Sequence, residues 1–396
     1  MLEVFLKMSE KVSRRDALKI GGALIGGAVI GGAGGYFAGQ SQGQSTIQQL
    51  QQQLATVTTS MPSTLEPQLS VYAWSGEMAT ALPKLFGDQN GVATTYDDTI
   101  ESNESMEAKV APGTSGYDVV VPTDHTVVDM IQRDMLQQLD MSKIPNYQYL
   151  LDEFKSPTYD PGNKYSVPLV TGTTGLGYNT DEVKDDVEKV GWGLIFDPDY
   201  AKKYAKKISL LNYDRGVFNI ALLYLGYTIQ DKDRSHWDEA KNAIIKIKPY
   251  LAAFDTNGMT DNLVAGNYVL SEIYSGNAHL ARMKGLALSP QVKIDYVIPS
   301  QGAPVWVDNF AILKESKNVN SAHAFLNYMT DPRSAALICN IVGERDPNNF
   351  ALTNGYISKD ISEDPALFPT AEATKRLQIN ANYTQDDVAY MGQLWT

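Results

Sequence analysis

Beyond Leu69, short apolar runs that read as strands alternate with runs whose apolar residues recur at helical spacing, and this alternation restricts the chain to few architectures. Leu69 to Ala73, Ala93 to Tyr96 and Asp118 to Val121 read as strands; Ala79 to Phe86, Glu104 to Val110 and Thr126 to Met135 read as helices. Such an order predicts an α/β fold, a mostly parallel sheet with helices on its faces. Val127, Val128, Ile131 and Met135 recur at helical spacing and are expected in the core. Ser102 or Asn103 can cap the helix from Glu104, and Glu104 and Glu107 lie near its positive end. Open sheets bind ligands where strand ends meet helix starts, so the loop Pro122-Thr123-Asp124-His125 is a candidate site segment.

A second body follows the turn-prone, β-branched stretch Tyr165 to Gly175. It takes in Ile208 to Leu211, helices from about Val217 to Leu225 and from Ser235 to Lys248, and strands at Val269 to Tyr274 and Ile294 to Pro299. Two extended stretches that bracket one body within another predict two discontinuous lobes joined by a double crossover, with a cleft that closes about it. The expected boundaries are 69–172 with 304–353 for the first lobe and 173–303 with 354–396 for the second.

The 396 residues, 43% hydrophobic and 20% charged, suffice for a soluble body with a sizeable core. A net charge of −13 without a basic run beyond the N-terminus argues against nucleic acid as a partner. One cysteine, Cys339, excludes an internal disulfide framework and a cysteine-rich metal site, and its apolar neighbours predict a buried, inert thiol.

The first 39 residues read as an address. Ser13-Arg14-Arg15-Asp16-Ala17-Leu18-Lys19 precedes an uncharged, glycine-rich apolar stretch from Ile20 to about Ala38, the pattern of a twin-arginine export signal. Its length approaches that of a membrane span and no A-x-A cleavage site stands out, so an uncleaved anchor is expected. Residues 40–68, rich in Gln, Ser and Thr, read as a polar stalk, with Ile47, Leu50 and Leu54 on one face of a short helix.

Two segments far apart in the chain, Tyr72-Ala73-Trp74-Ser75-Gly76-Glu77 and Val305-Trp306-Val307-Asp308-Asn309, each bring an indole and a carboxylate together. An aromatic face attracts an ammonium by roughly 0.5 to 2 kcal/mol, and a fixed carboxylate gives the attraction direction, so the pairing suits an organic cation.

The ordered motifs resemble the spermidine/putrescine-binding proteins of ABC importers from about Leu69 to the C-terminus. The matching pieces are Tyr72-Ala73-Trp74-Ser75, Tyr96 followed by Glu101 to Lys109, Tyr117 to Pro122, Tyr165-Ser166-Val167-Pro168, Gly175-Leu176-Gly177-Tyr178-Asn179 and Trp306 to Ile312, with Pro332 and Gly343 in a later helix and turn. The resemblance implies a two-lobed fold like that of the periplasmic binding proteins, hinged on two crossover strands, which traps a linear polyamine between aromatic walls. It implies an ABC permease with its ATPase as partner, and a monomer with no cofactor or metal. By position, Trp74, Trp306 and Tyr274 would be walls and Asp308 the carboxylate that takes an amine; Ser75, Thr123 and His125 would supply the polar contacts, His125 in place of a tyrosine, and Gln378 a distant amide.

The resemblance breaks at the segment Leu211 to Phe218, where two acids spaced three apart would fall on Tyr213 and Gly216. Asp214 lies one residue away and pairs most simply with Arg215, whereas Glu77 and Glu344 stand where tyrosines are usual. Either the amine-binding carboxylates have moved around the cleft, with Glu77, Asp214 and Glu344 as candidates, or the ligand is another small solute. Against a hydrolytic enzyme stand the missing G-x-S-x-G, H-E-x-x-H, P-loop and dinucleotide motifs and four scattered histidines, with His236 and His323 expected on helix surfaces. Asp124 with His125 is the available catalytic dyad. Ferric iron would call for adjacent tyrosines, which are not found near Tyr213. A surface sensor without a transporter fits the anchor and stalk as well.

Overall fold

The computed structural model describes residues 64–74, 78 and 80–395. The expected signal or anchor, most of the stalk, and Ser75 and Glu77 lie outside these residues. The stalk was expected to reach residue 68, but Glu66 accepts the backbone N–H of Ser321 at 2.8 Å and the amide of Asn320 at 2.9 Å. Leu65 packs on the core of the first lobe, so the globular body begins earlier than composition suggests.

Ten strands are described: β1 (Gln68–Trp74), β2 (Ala93–Ile100), β3 (Val119–Val120), β4 (Ser166–Asn179), β5 (Ile208–Leu210), β6 (Leu251–Phe254), β7 (Leu270–Tyr274), β8 (Ile294–Val297), β9 (Ala303–Ile312) and β10 (Leu377–Ile379). Hydrogen bonding runs in the order β2-β1-β3-β9-β4-β7-β5-β6, with β8 beside β4 and β10 beside β9. The expected parallel pairing holds inside each lobe, where β1 runs parallel to β2 and β3, and β5 to β6 and β7. It fails in the middle: β4 is antiparallel to β7, β8 and β9, and β9 is antiparallel to β3. The cause is the crossover itself, since β4 leaves the first lobe for the second and β9 returns.

The hydrophobic residues sort accordingly. Val167, Leu169 and Val170 of β4 and Phe310 and Ile312 of β9 join Val71, Phe86, Val119 and Phe325 in one core. Leu176 of β4 and Ala303 of β9 join Trp192, Phe218, Trp237 and Ile273 in the other. The chain is therefore two-lobed, and both crossover strands are half in each lobe. A satellite core links Ala335, Cys339 and Ala351 with Ile357, Ile361 and Leu367; burial pushes the Cys339 thiol well up, as expected of an inert cysteine.

The helices that matter for the site are α1 (Ala81–Asn90), α2 (Asn103–Val110), α3 (Asp124–Gln132), α4 (Asp214–Leu225), α5 (Arg234–Ile247), α6 (Ser275–Leu286), α7 (Val319–Met329) and α8 (Gln385–Trp395). α2 starts on a reciprocal cap: Ser105 N–H donates to Ser102 Oγ at 3.0 Å and Ser102 N–H to Ser105 Oγ at 3.1 Å. In α3 the buried stripe includes Thr126, Val127 and Met130, while Val128 and Ile131 are only half-buried, as is Met135 after the helix. The helix begins two residues before the expected start and ends at Gln132, so Met135 lies beyond it. His323, expected on a helix surface, is buried in α7, where its Nε2 accepts Asp140 N–H at 2.9 Å.

Candidate functional site

Register in the crossover pair fixes the centre of the site. Opposite Val170 of β4 stands Asp308 of β9, and opposite Gly172 stands Trp306. A Cβ at position 172 would lie 2.3 Å from Cζ2 of Trp306, so glycine there leaves the space that the indole occupies. Tyr274, at the end of β7, meets that indole edge-on, with ring centroids 5.9 Å apart at 84°. Two of the expected walls therefore form a corner where the lobes join.

Asp308 is 7% exposed and accepts the Thr123 hydroxyl at 2.6 Å, across an isolated bridge between the two backbones. Thr123 is held from the other side by Asn103 of α2, whose amide nitrogen donates to Oγ1 at 3.0 Å and whose amide oxygen accepts Thr123 N–H at 3.2 Å. The side chain that orients Asp308 is thus itself held by two hydrogen bonds with Asn103.

Glu344 follows the turn at Gly343 and is brought against the start of α6. A Cβ at Gly276 would lie 2.1 Å from its Oε1, so this glycine makes room for the carboxylate. Although the residue as a whole is half-buried, its Oε2 is shut off from solvent and has no hydrogen-bond partner. Burial, and then the charge of Asp308, push this carboxyl up to about 8. Two acids thus lie in mutual electrostatic reach, one of them with an oxygen that has no partner.

Further acids surround it. Asp124 is 1% exposed; burial raises it to about 7 against the opposing N–H groups of His125 and Val307 and the Arg215 charge. His125 contacts it through Nδ1 at 3.2 Å, and burial followed by the Arg215 charge holds the imidazole well below its usual range, so the ring is neutral. The dyad is adjacent in space as well as in sequence, yet Asp124 Oδ2 and His125 Nε2 both lack partners. Glu272 of β7, which the sequence did not single out, is fully buried; burial raises it to about 8 against the Leu211 N–H. Its one signal was an acid inside a short, fully paired strand that also carries Leu270, Ile273 and Tyr274. Tyr159 was also missed: its hydroxyl donates to Asn309 Oδ1 at 3.0 Å, and burial, then Asp124, raise it far above the usual range.

Tyr213 immediately precedes α4, and burial raises its hydroxyl; Asp214 is raised by burial against the Arg215 N–H that it accepts. The expected Asp214–Arg215 ion pair is replaced by that backbone bond at 2.7 Å. The guanidinium instead stacks over Tyr383 at 5.0 Å, and its Nη1 has no partner. Trp74 is half-buried at the end of β1, with its indole N–H on Val121 O at 2.8 Å. It packs on the same hydrophobic core as Trp306. Gln378 stands apart: its side-chain oxygen accepts Ile229 N–H at 3.0 Å inside the second lobe.

Two cavities flank this centre. One of about 300 Å³ is lined by Asp124, His125 and Tyr159 facing Lys232, Asn380 and Asn382; the other, of about 350 Å³, by Ser102 and Glu104 facing Tyr213, Arg215, Tyr383 and Trp395. Each draws on both lobes. No cluster of His, Cys, Asp and Glu suited to a metal occurs among the described residues, and no described helix is long and apolar enough to cross a membrane.

Residues 77–370 match the family described as bacterial extracellular solute-binding protein. The chain is 33% identical over 335 residues to a putrescine/cadaverine-binding protein of Pseudomonas aeruginosa, covering 84% of this chain and 94% of the relative. It is also 33% identical over 310 residues to the spermidine/putrescine-binding periplasmic protein of Escherichia coli, covering 78% and 84%. A spermidine/putrescine ABC transporter substrate-binding protein from Streptococcus pneumoniae superposes with a TM-score of 0.71 at 28% identity, over 83% of this chain and 98% of that one.

Proposed function

This chain belongs to the bacterial extracellular solute-binding proteins, and from that premise we propose that it captures a polyamine-like organic cation and delivers it to an ABC permease with its ATPase. One observation carries the reading: Trp306 and Tyr274 form an aromatic corner beside two buried carboxylates, Asp308 and Glu344, in electrostatic reach of each other. Two acids held together out of water strongly favour a cation between them, and the aromatic faces favour an ammonium over a hydrated metal ion.

The ligand enters the cleft between the lobes, and closure turns about β4 and β9. Trp74, Thr123, His125, Tyr213 and Asp214 border the cleft. The first lobe comprises 69–172 with 304–353 and the second 173–303 with 354–396; residues 65–68 pack with the first. Residues 1–39 act as a twin-arginine signal that stays as an anchor, and the stalk holds a monomeric receptor outside the cytoplasm.

Calorimetry of the purified protein against putrescine, cadaverine, spermidine, betaine and neutral amino acids tests the reading. Saturable one-to-one binding of the amines, lost on Trp306→Ala, supports it. Binding of a neutral or anionic solute with no response to amines would refute it.

A further inference from the structure

We infer that Glu272 is the carboxylate that receives the second ammonium of a linear diamine, an assignment that rests on the proposed cation reading and extends it to the far end of the ligand. The resemblance places two acids on the segment that opens α4, but Tyr213 and Gly216 stand there. The structure supplies the charge from elsewhere. A Cβ at Gly216 would lie 3.4 Å from Glu272 Oε1 and 3.0 Å from the Tyr213 ring, so a carboxylate from β7 enters the space into which a side chain at 216 would point.

Glu272 has the geometry of a ligand group. Residues two apart on a strand share a face, so it lies on the face of β7 that carries Tyr274. Its Oε2 accepts Leu211 N–H at 3.0 Å, which fixes the side chain, while Oε1 is buried with no partner. Burial, and then the neighbouring Tyr213, Glu272 and Asp308, raise the Tyr274 hydroxyl far above its usual range. Tyr274 therefore stands near two acidic poles, Asp308 with Glu344 on the Trp306 side and Glu272 on the Tyr213 side, at which a docked ammonium favours the ionised carboxyl. Two poles bridged by aromatic rings fit a chain with an ammonium at each end; a monoamine can use only the first.

Putrescine and n-butylamine, equal in carbon number, are titrated into the full chain and its variants by calorimetry. Glu272→Gln keeps the acceptor for Leu211 and should weaken putrescine by at least about tenfold while leaving n-butylamine unchanged. Glu272→Asp retains the charge but withdraws it by one carbon, so the preference should move from putrescine towards cadaverine. Glu272→Ala with Gly216→Glu should restore putrescine binding from the helix side. Unchanged putrescine affinity in Glu272→Gln would overturn the assignment. If that variant does not fold, an unchanged putrescine-to-cadaverine ratio in Glu272→Asp does so instead. Failure of the unmodified protein to bind either amine would overturn the cation reading itself, a distinct result.

Discussion

Cation binding should release protons and tighten as the pH rises through neutrality. Glu344 and Glu272 both stand at about 8, the first through burial and then the Asp308 charge, the second through burial against one N–H donor. At about pH 7 a carboxyl of that kind is roughly 90% protonated, and an ammonium docked against it favours the ionised form. Each carboxyl that meets an amine therefore gives up close to one proton. The logarithm of the association constant rises by as many units per pH unit as protons are released, so affinity should grow about 10-fold per pH unit if one carboxyl meets an amine and up to about 100-fold if both do, between about pH 6 and 7. The gain should flatten above about pH 8, where both groups are already ionised. Calorimetry in phosphate and in Tris, whose ionisation enthalpies differ, counts the protons directly. Equal heats in the two buffers with a pH-independent affinity would show that neither carboxyl meets the cation.

Further outcomes follow from the same geometry. Without ligand the sign reverses for stability: the folded pKa of Glu344 lies above the ordinary 4.5, so the folded state is favoured below that value and loses stability as the pH rises towards about 8. Glu344→Gln should remove this loss and raise the melting temperature near pH 8 by the equivalent of a few kcal/mol at most, as differential scanning calorimetry would report. Trp306→Ala should weaken amine binding by about 10- to 100-fold through lost cation–π attraction and apolar burial, measured by calorimetry. Gly172→Ala places a methyl 2.3 Å from the Trp306 ring and should displace the indole, giving a shifted tryptophan emission and weaker binding with an unchanged far-ultraviolet dichroism spectrum. Thr123→Val removes the hydroxyl that donates to Asp308 at 2.6 Å and should cost about 1 kcal/mol of binding, a roughly fivefold loss.

Much of the fold was legible because it is encoded locally. The cap at Ser102, the strand at Leu69 and the helix near Leu225 are properties of adjacent residues, and each element occurs within a few positions of its expected place. Antiparallel pairing at the crossover was not legible, since it depends on β4 and β9 passing in opposite directions between lobes, a relation among residues about 140 positions apart. The same divide separates the site residues. Trp306 and Asp308 share one strand segment, so their association with an indole and a carboxylate could be read directly. Glu272 could not: its meaning arises from an empty Cβ position at Gly216 and a backbone donor at Leu211, 61 residues away. His323 misled for a related reason, because a polar ring on a helix is counted as surface until a loop such as that at Asp140 is known to close over it.

A crystal structure of the protein with putrescine bears most directly on the central claim. One ammonium should lie about 2.7–2.9 Å from Asp308, with the methylene chain crossing the Trp306 and Tyr274 faces. A diamine seated in either flanking cavity, with Asp308 still contacting Thr123 and no amine, would contradict it.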